Sequence, residues 1–193
     1  VISVEEAAGR SIEYARRYAS AKIAEITSQD PALAVSVLKG EQPGPAGLIR
    51  QLHRFRPTPY WHGPSNRAGY GSDTVTREDG TVEKVVPGMT VVRADADRDV
   101  QRRVDQFLSG VDGQVDSKAF DRLAPHVRAA LVSVGYQAGH LPEDVAEAVR
   151  SSDVEEIAAA IAADGDEDGG VNREIRLAEA AIVRGEDSTP YEQ

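Results

Sequence analysis

Between Ile49 and Thr74 the chain gathers most of the side chains that could do chemistry. His53 and His62 are two of its four histidines, and Trp61 is its one tryptophan. Arg50, Arg54, Arg56 and Arg67 add positive charge, Tyr60 and Tyr70 add flat aromatic faces, and no carboxylate occurs before Asp73. A histidine titrates near neutrality, so His53 as an imidazolium could hand a proton to a reacting oxygen. The arginines close to it in sequence would lower its pKa and weaken it in that role. His53 and His62 could also hold zinc with Asp73 as a third ligand. Spaced histidine pairs are common by chance, however, and catalytic zinc wants three firm ligands. No metal and no cofactor is therefore expected. A cationic, aromatic, turn-rich stretch between helical patterns suits a binding cleft, and a surface loop that happens to be basic is the plainer alternative.

The elements around this stretch must position it. Pro45 opens a short helix, expected to run to about residue 54 and to deliver His53 at its end. Beyond the Gly69-Tyr70-Gly71 turn, residues 73–92 read as β: Thr74-Val75-Thr76 and Val82–Val86 flank Asp79-Gly80, a hairpin signal, and Met89–Val92 follows a Pro-Gly turn. Val100, Val104, Phe107 and Leu108 mark a helix over residues 94–111. Ser117 caps a short helix to residue 123. Residues 125–139 form the most apolar helix, with Val127, Ala130, Leu131 and Val134, and are expected to be the buried centre of the larger lobe. Helices over residues 141–150 and 154–163 follow, the latter capped at Ser152-Asp153. At the other end, Ser3-Val4-Glu5-Glu6 is a capping box for a helix to about residue 28. Asp30-Pro31 starts a second helix, and Gln42-Pro43-Gly44-Pro45 reads as a linker.

Composition narrows the classes. The 193 residues suffice for one good core plus an appendage. Without cysteine there is no disulfide framework, thiolate metal site or cysteine nucleophile. No apolar run approaches the ~20 residues of a membrane span. A formal charge of −10 argues against general nucleic-acid binding. That charge is uneven: most of the excess acid lies beyond Pro142, whereas residues 43–72 carry only positive side chains. A chain that opens on Val1 is expected to have been trimmed or cut from a larger polypeptide.

The order of an apolar helix end, Phe55-Arg56, Pro59-Tyr60, a turn, Gly69-Tyr70-Gly71 and a short hairpin resembles the catalytic segment of phage-type lysozymes, the endolysin muramidases of glycoside hydrolase family 24. A second segment, Gly169-Gly170 through the basic residues to Glu179-Ala180 and Gly185, is similar to that family's closing helix. The two bracket roughly residues 44–185. The resemblance implies an α+β fold, mostly helical, with a small β-hairpin lobe. It implies a lysozyme-like domain over residues 43–185; the N-terminal helical extension and linker over residues 1–42 and the C-terminal tail over residues 186–193 fall outside it. It further implies a phage virion protein, or one in the host cytoplasm before assembly, acting at the bacterial cell wall, with anionic peptidoglycan and also other phage structural proteins as possible partners.

The departures fall on the chemistry. Aligned through Pro59-Tyr60, the family's catalytic Glu and Asp positions are His53 and His62, and Arg67 stands near its Thr. A glycosidase needs two carboxyl groups flanking the scissile bond. A neutral imidazole cannot stabilise an oxocarbenium ion, and a protonated one repels it. Two readings stay open: a degenerate domain that binds peptidoglycan or serves structurally, and an active muramidase cleaving the MurNAc–GlcNAc bond through other residues. Glu78 and Glu83 lie on the hairpin, but Asp73 is the best substitute carboxylate, although starting a hairpin is reason enough for it. Tyr60, Trp61, Tyr70 and Arg56 are the candidate sugar-contacting residues. Asp164-Gly165-Asp166-Glu167-Asp168-Gly169 copies the opening of an EF-hand loop, but position 12 is Ile175 where a bidentate Glu belongs, so an ordinary acidic loop is expected.

Overall fold

The computed structural model describes residues 44–165 and 172–185, all in the compact unit that begins at Gly44. The helices expected over residues 3–39, most of the acidic loop and the tail lie outside the described residues. Along the chain run helix α1 (Pro45–Leu52), strands β1 (Arg56–His62), β2 (Ser65–Gly69), β3 (Thr74–Thr76) and β4 (Val82–Lys84), and helix α2 (Arg93–Gly110), which continues into a 3-10 turn (Val111–Gly113). Helices α3 (Ser117–Arg122), α4 (Pro125–Gly135), α5 (Glu143–Ser151), α6 (Val154–Asp164) and α7 (Arg173–Val183) complete it. The strands form two separate antiparallel hairpins, β1-β2 and β3-β4. None of the described helices is long and apolar enough to cross a membrane.

Pro45 sits in the first turn of α1, where its missing N–H costs nothing, and Leu48, Ile49 and Leu52 form the buried stripe. The helix stops where His53 turns extended, its N–H bonded to the Ile49 carbonyl. The chain then enters β1, a strand the sequence does not announce because it contains Pro57 and Pro59. Both prolines lie in the irregular part of the ladder, between the Arg56↔Gly69 and Tyr60↔Arg67 pairs, so neither removes a required hydrogen bond. Gly63-Pro64 closes the hairpin in two residues, with Gly63 at a φ of 61°.

The second hairpin forms at Asp79-Gly80 as expected. The stretch Met89–Val92 does not join it. It reaches β1 through one bond, from the Val91 N–H to the Pro57 carbonyl at 2.8 Å.

Hairpin and helix are joined through a buried carboxylate. Asp99 on α2 accepts from Ser72 Oγ at 2.6 Å, Thr76 Oγ1 at 2.8 Å and Arg102 Nη2 at 2.8 Å, with Thr74 Oγ1 at 3.1 Å. Burial alone would raise the Asp99 pKa; the hydrogen bonds from Ser72, Arg102 and Thr76 and the Arg102 charge outweigh it, and the net shift is downward. A carboxylate with this many donors replaces its lost water.

Helix α4 is the expected centre. Val127 and every residue from Ala129 to Gly135 are buried, and it packs on α1 and α7. It ends at Gly135 rather than 139, after which the Tyr136 N–H bonds back to Ser133 and the Gly139 N–H to Gly135. Gly135 is obligatory on packing grounds: a methyl group there would come within 2.2 Å of the Phe107 ring of α2. The short helix α3 is capped by Asp116, which accepts from the Lys118 N–H, and not by Ser117. Asp153 caps α6 through the N–H groups of Glu155 and Glu156, in keeping with its sequence signal.

Candidate functional site

Four segments meet around Gly71, which holds a φ of 86°. The end of α1 brings His53, β1 brings Tyr60, β2 brings Arg67, and the residues after α4 bring Tyr136 and Gln137. A side chain built on Gly71 would start 2.9 Å from Gln137 Nε2, 3.6 Å from the Tyr60 hydroxyl and 3.7 Å from His53 Nδ1. Arg67, paired with Tyr60 across the hairpin, donates from Nη1 to the Gly71 carbonyl at 2.9 Å.

His53 is only 6 % exposed, with its ring against the edge of Tyr136. Its Nε2 is sealed and without a partner. Burial chiefly, then the positive charges of Arg176 and Arg67, lower its pKa to about 4, so it is neutral at physiological pH. The sequence pointed to arginines 50, 54 and 56 as the perturbing charges. The folded chain uses Arg176, far away in sequence, and Arg67.

The other expected site residues divide into two groups. Tyr60 stays near His53, and the Arg56 guanidinium covers its ring at 4.5 Å. His62, at the end of β1, lies beside Tyr60, ring centroids 6.4 Å apart. Trp61 points outward and is 69 % exposed, the most open large apolar side chain described. Tyr70 belongs to the core instead. Its ring packs on Phe55, its hydroxyl accepts from Arg93 Nη1 at 2.9 Å, and its pKa is pushed up to about 12, mainly by burial and then by Asp97. Neither face of Tyr70 is available to a sugar.

Asp73 is partly exposed but its carboxylate is engaged by Arg103, a residue of α2. Of the remaining carboxylates near the hairpins, Glu83 and Asp95 are bound by Arg77, and Asp97 by Arg50. No group of three His, Asp or Glu side chains among the described residues is placed to hold a metal ion.

The sequence left two groups unmarked. Gln137 was read as interior to a helix that in fact ends two residues earlier. Glu179 is fully buried, one oxygen bound by Arg176 Nη1 at 2.7 Å and the other, like the Ser133 hydroxyl, without hydrogen-bond geometry. Burial raises the Glu179 pKa, against the pull of Arg176 and, more weakly, of Ser133. Arg176 also reaches Asp164 and the Val134 carbonyl, tying α7 to α6 and α4. Glu179 is sealed from any substrate, and its work is structural.

No protein-family model matches the chain, and no curated protein matches it. Among solved structures, an endolysin from Escherichia coli O157:H7 phage FAHEc1 superposes with a TM-score of 0.51, over 72 % of this chain and 89 % of that one, at 21 % identity. The fold is lysozyme-like. In this lysozyme-like domain the small lobe is the pair of hairpins, and the helical part is built on α4. His53, Tyr60, Arg67 and Gln137 meet where the two parts join.

Proposed function

We propose that this lysozyme-like domain binds bacterial peptidoglycan without hydrolysing it, as part of a phage particle acting at the cell wall. The reading is supported above all by His53. It occupies the position that the family resemblance assigns to the catalytic Glu, and it is buried and neutral. It therefore supplies neither an acidic proton at neutral pH nor an anion to face a developing oxocarbenium charge. His62 takes the place of the expected Asp, and Arg67 that of the Thr. Of the carboxylates that could have replaced them, Asp73 and Glu83 are held by arginines, and Glu78 stands exposed at the tip of the second hairpin. Binding groups remain: exposed Trp61 for stacking on a sugar, Arg56 over Tyr60, and an acid-free cationic segment complementary to an anionic glycan. The likeness to a phage endolysin supports the phage and cell-wall assignment.

A second reading has one specific observation in its favour. Asp73 is partly exposed next to the site, so an active muramidase would use Asp73 released from Arg103. Contacts of the N-terminal 42 residues with other phage structural proteins are compatible with either reading. The test is co-sedimentation with purified insoluble sacculi. Wild type is expected to pellet, and Trp61→Ala to stay largely in the supernatant while keeping the wild-type melting curve. Failure of wild type to pellet would remove the binding reading.

A further inference from the structure

The polar groups around Gly71 carry more hydrogen-bonding capacity than the protein uses. Arg67 makes one hydrogen bond, to the Gly71 carbonyl; its buried Nε has no partner, and no carboxylate among the described residues pairs with it. The Gln137 amide and the Tyr60 hydroxyl also find no partner among the described residues, although both lie within 4 Å of one point over Gly71. His53 faces the same point with Nδ1. A buried donor left open, as the Arg67 Nε is, is exceptional in folded proteins and calls for an explanation, while the Gln137 amide and the Tyr60 hydroxyl beside it are half-buried and free to bind a ligand in place of water. The guanidinium and amide N–H groups can only donate, and the hydroxyl can donate as well, so together they suit a group that can only accept. A planar carboxylate is the acceptor that guanidinium geometry fits best. The surrounding segment, residues 43–72, has no carboxylate of its own to occupy the place.

We propose that Arg67, Gln137 and Tyr60 form a carboxylate-binding cradle over Gly71, with which the domain recognises the acid groups of its glycan ligand. The chemistry is shared by two sources in peptidoglycan, the lactyl carboxylate of the muramyl residue and the terminal carboxylate of the stem peptide. The cradle rests on the peptidoglycan-binding reading for its natural ligand, but not for its anion chemistry. It turns the position of a lost catalytic centre into a specificity site: the absence of a side chain at Gly71 keeps a Cβ from crowding the Gln137 amide at 2.9 Å, and a neutral His53 adds no charge to compete.

The full chain is titrated with sodium acetate, with a peptide-free GlcNAc–MurNAc tetrasaccharide, with chitotetraose and with a free stem pentapeptide. The Arg67 Nε–H resonance is followed in each titration, and dissociation constants are measured. Acetate is expected to shift that resonance saturably. The muramyl tetrasaccharide should bind about tenfold tighter than chitotetraose, which lacks the lactyl acid, since a hydrogen bond to a charged group is worth that much or more. Arg67→Gln should remove the preference, and Gln137→Leu should reduce it if Arg67→Gln does not fold. A response to the pentapeptide in place of the glycan would assign the carboxylate to the peptide. No response of Arg67 to acetate, measurable and equal affinity for the two tetrasaccharides without a response to the pentapeptide, or a preference that survives Arg67→Gln would overturn the cradle. Acetate binding with no binding of either glycan or peptide would keep the anion cradle and remove the peptidoglycan reading.

Discussion

The ring of His53 meets the edge of Tyr136 inside the core, with centroids 5.6 Å apart and planes at 62°. The contact is part of the burial that, with the charges of Arg176 and Arg67, holds the imidazole neutral. The unfolded chain protonates His53 near pH 6.5, whereas the folded chain refuses the proton until about pH 4. Between those values the unfolded state binds more protons, so stability falls as the pH is lowered through the window, by about 3 kcal/mol in all from this group. Urea midpoints from pH 7 to 4 should show that slope, and His53→Gln should flatten it. An unchanged slope in the variant would place the titration elsewhere.

Asp99 has the opposite sign. Its pKa is depressed in the folded protein, so its contribution is present above the ordinary carboxylate range and is lost as the pH falls through the folded value. At neutral pH, Asp99→Ala strips the acceptor from Ser72, Thr76 and Arg102 and should destabilise by about 3–5 kcal/mol. Thermal or urea unfolding measures it. A loss under about 1 kcal/mol, as for a surface pair, would contradict its role as the joint between hairpin and helix.

The acidic loop is not expected to bind calcium tightly. Asp164, its first oxygen donor, is held by Arg176 Nε at 2.6 Å, and position 12 offers Ile175 in place of a bidentate Glu. Calorimetry should show no micromolar affinity; tight binding abolished by Asp166→Ala would refute this.

Restoring the carboxylates should restore chemistry. His53→Glu with His62→Asp puts an acid between Arg67 and Arg176, and a second carboxylate at the end of β1. Loss of one charge-stabilising group commonly costs a hundredfold or more, so the double variant should clear chloroform-treated Gram-negative cells at least that much faster than wild type. No gain from the pair would mean that Arg67 and Gln137 also block the reaction.

Much of the fold was legible because local signals agreed with tertiary demands. The apolar spacing of Val100, Val104 and Phe107, the Asp153 cap and the Asp79-Gly80 turn each specify one structure. Strand β1 was not legible, since Pro57 and Pro59 read as breakers and only the irregular register of the hairpin accommodates them. Met89–Val92 has strand propensity but no ladder to join, and α4 stops short of its apolar pattern, with Tyr136 closing its last turn on the Ser133 carbonyl. At the site, residue types were legible but environments were not. Nothing local in the sequence places Arg176 near His53, hides Tyr70 while exposing Trp61, or brings Gln137 to Gly71.

The central claim, binding without hydrolysis, is tested most directly by mass spectrometry of the soluble fraction after wild-type protein is incubated with purified sacculi. The account predicts that protein pellets with the sacculi and that no muropeptides with new reducing ends are released above a protein-free control. Release of disaccharide muropeptides by wild type, surviving His53→Ala and abolished by Asp73→Ala, would contradict it and establish a muramidase working through Asp73.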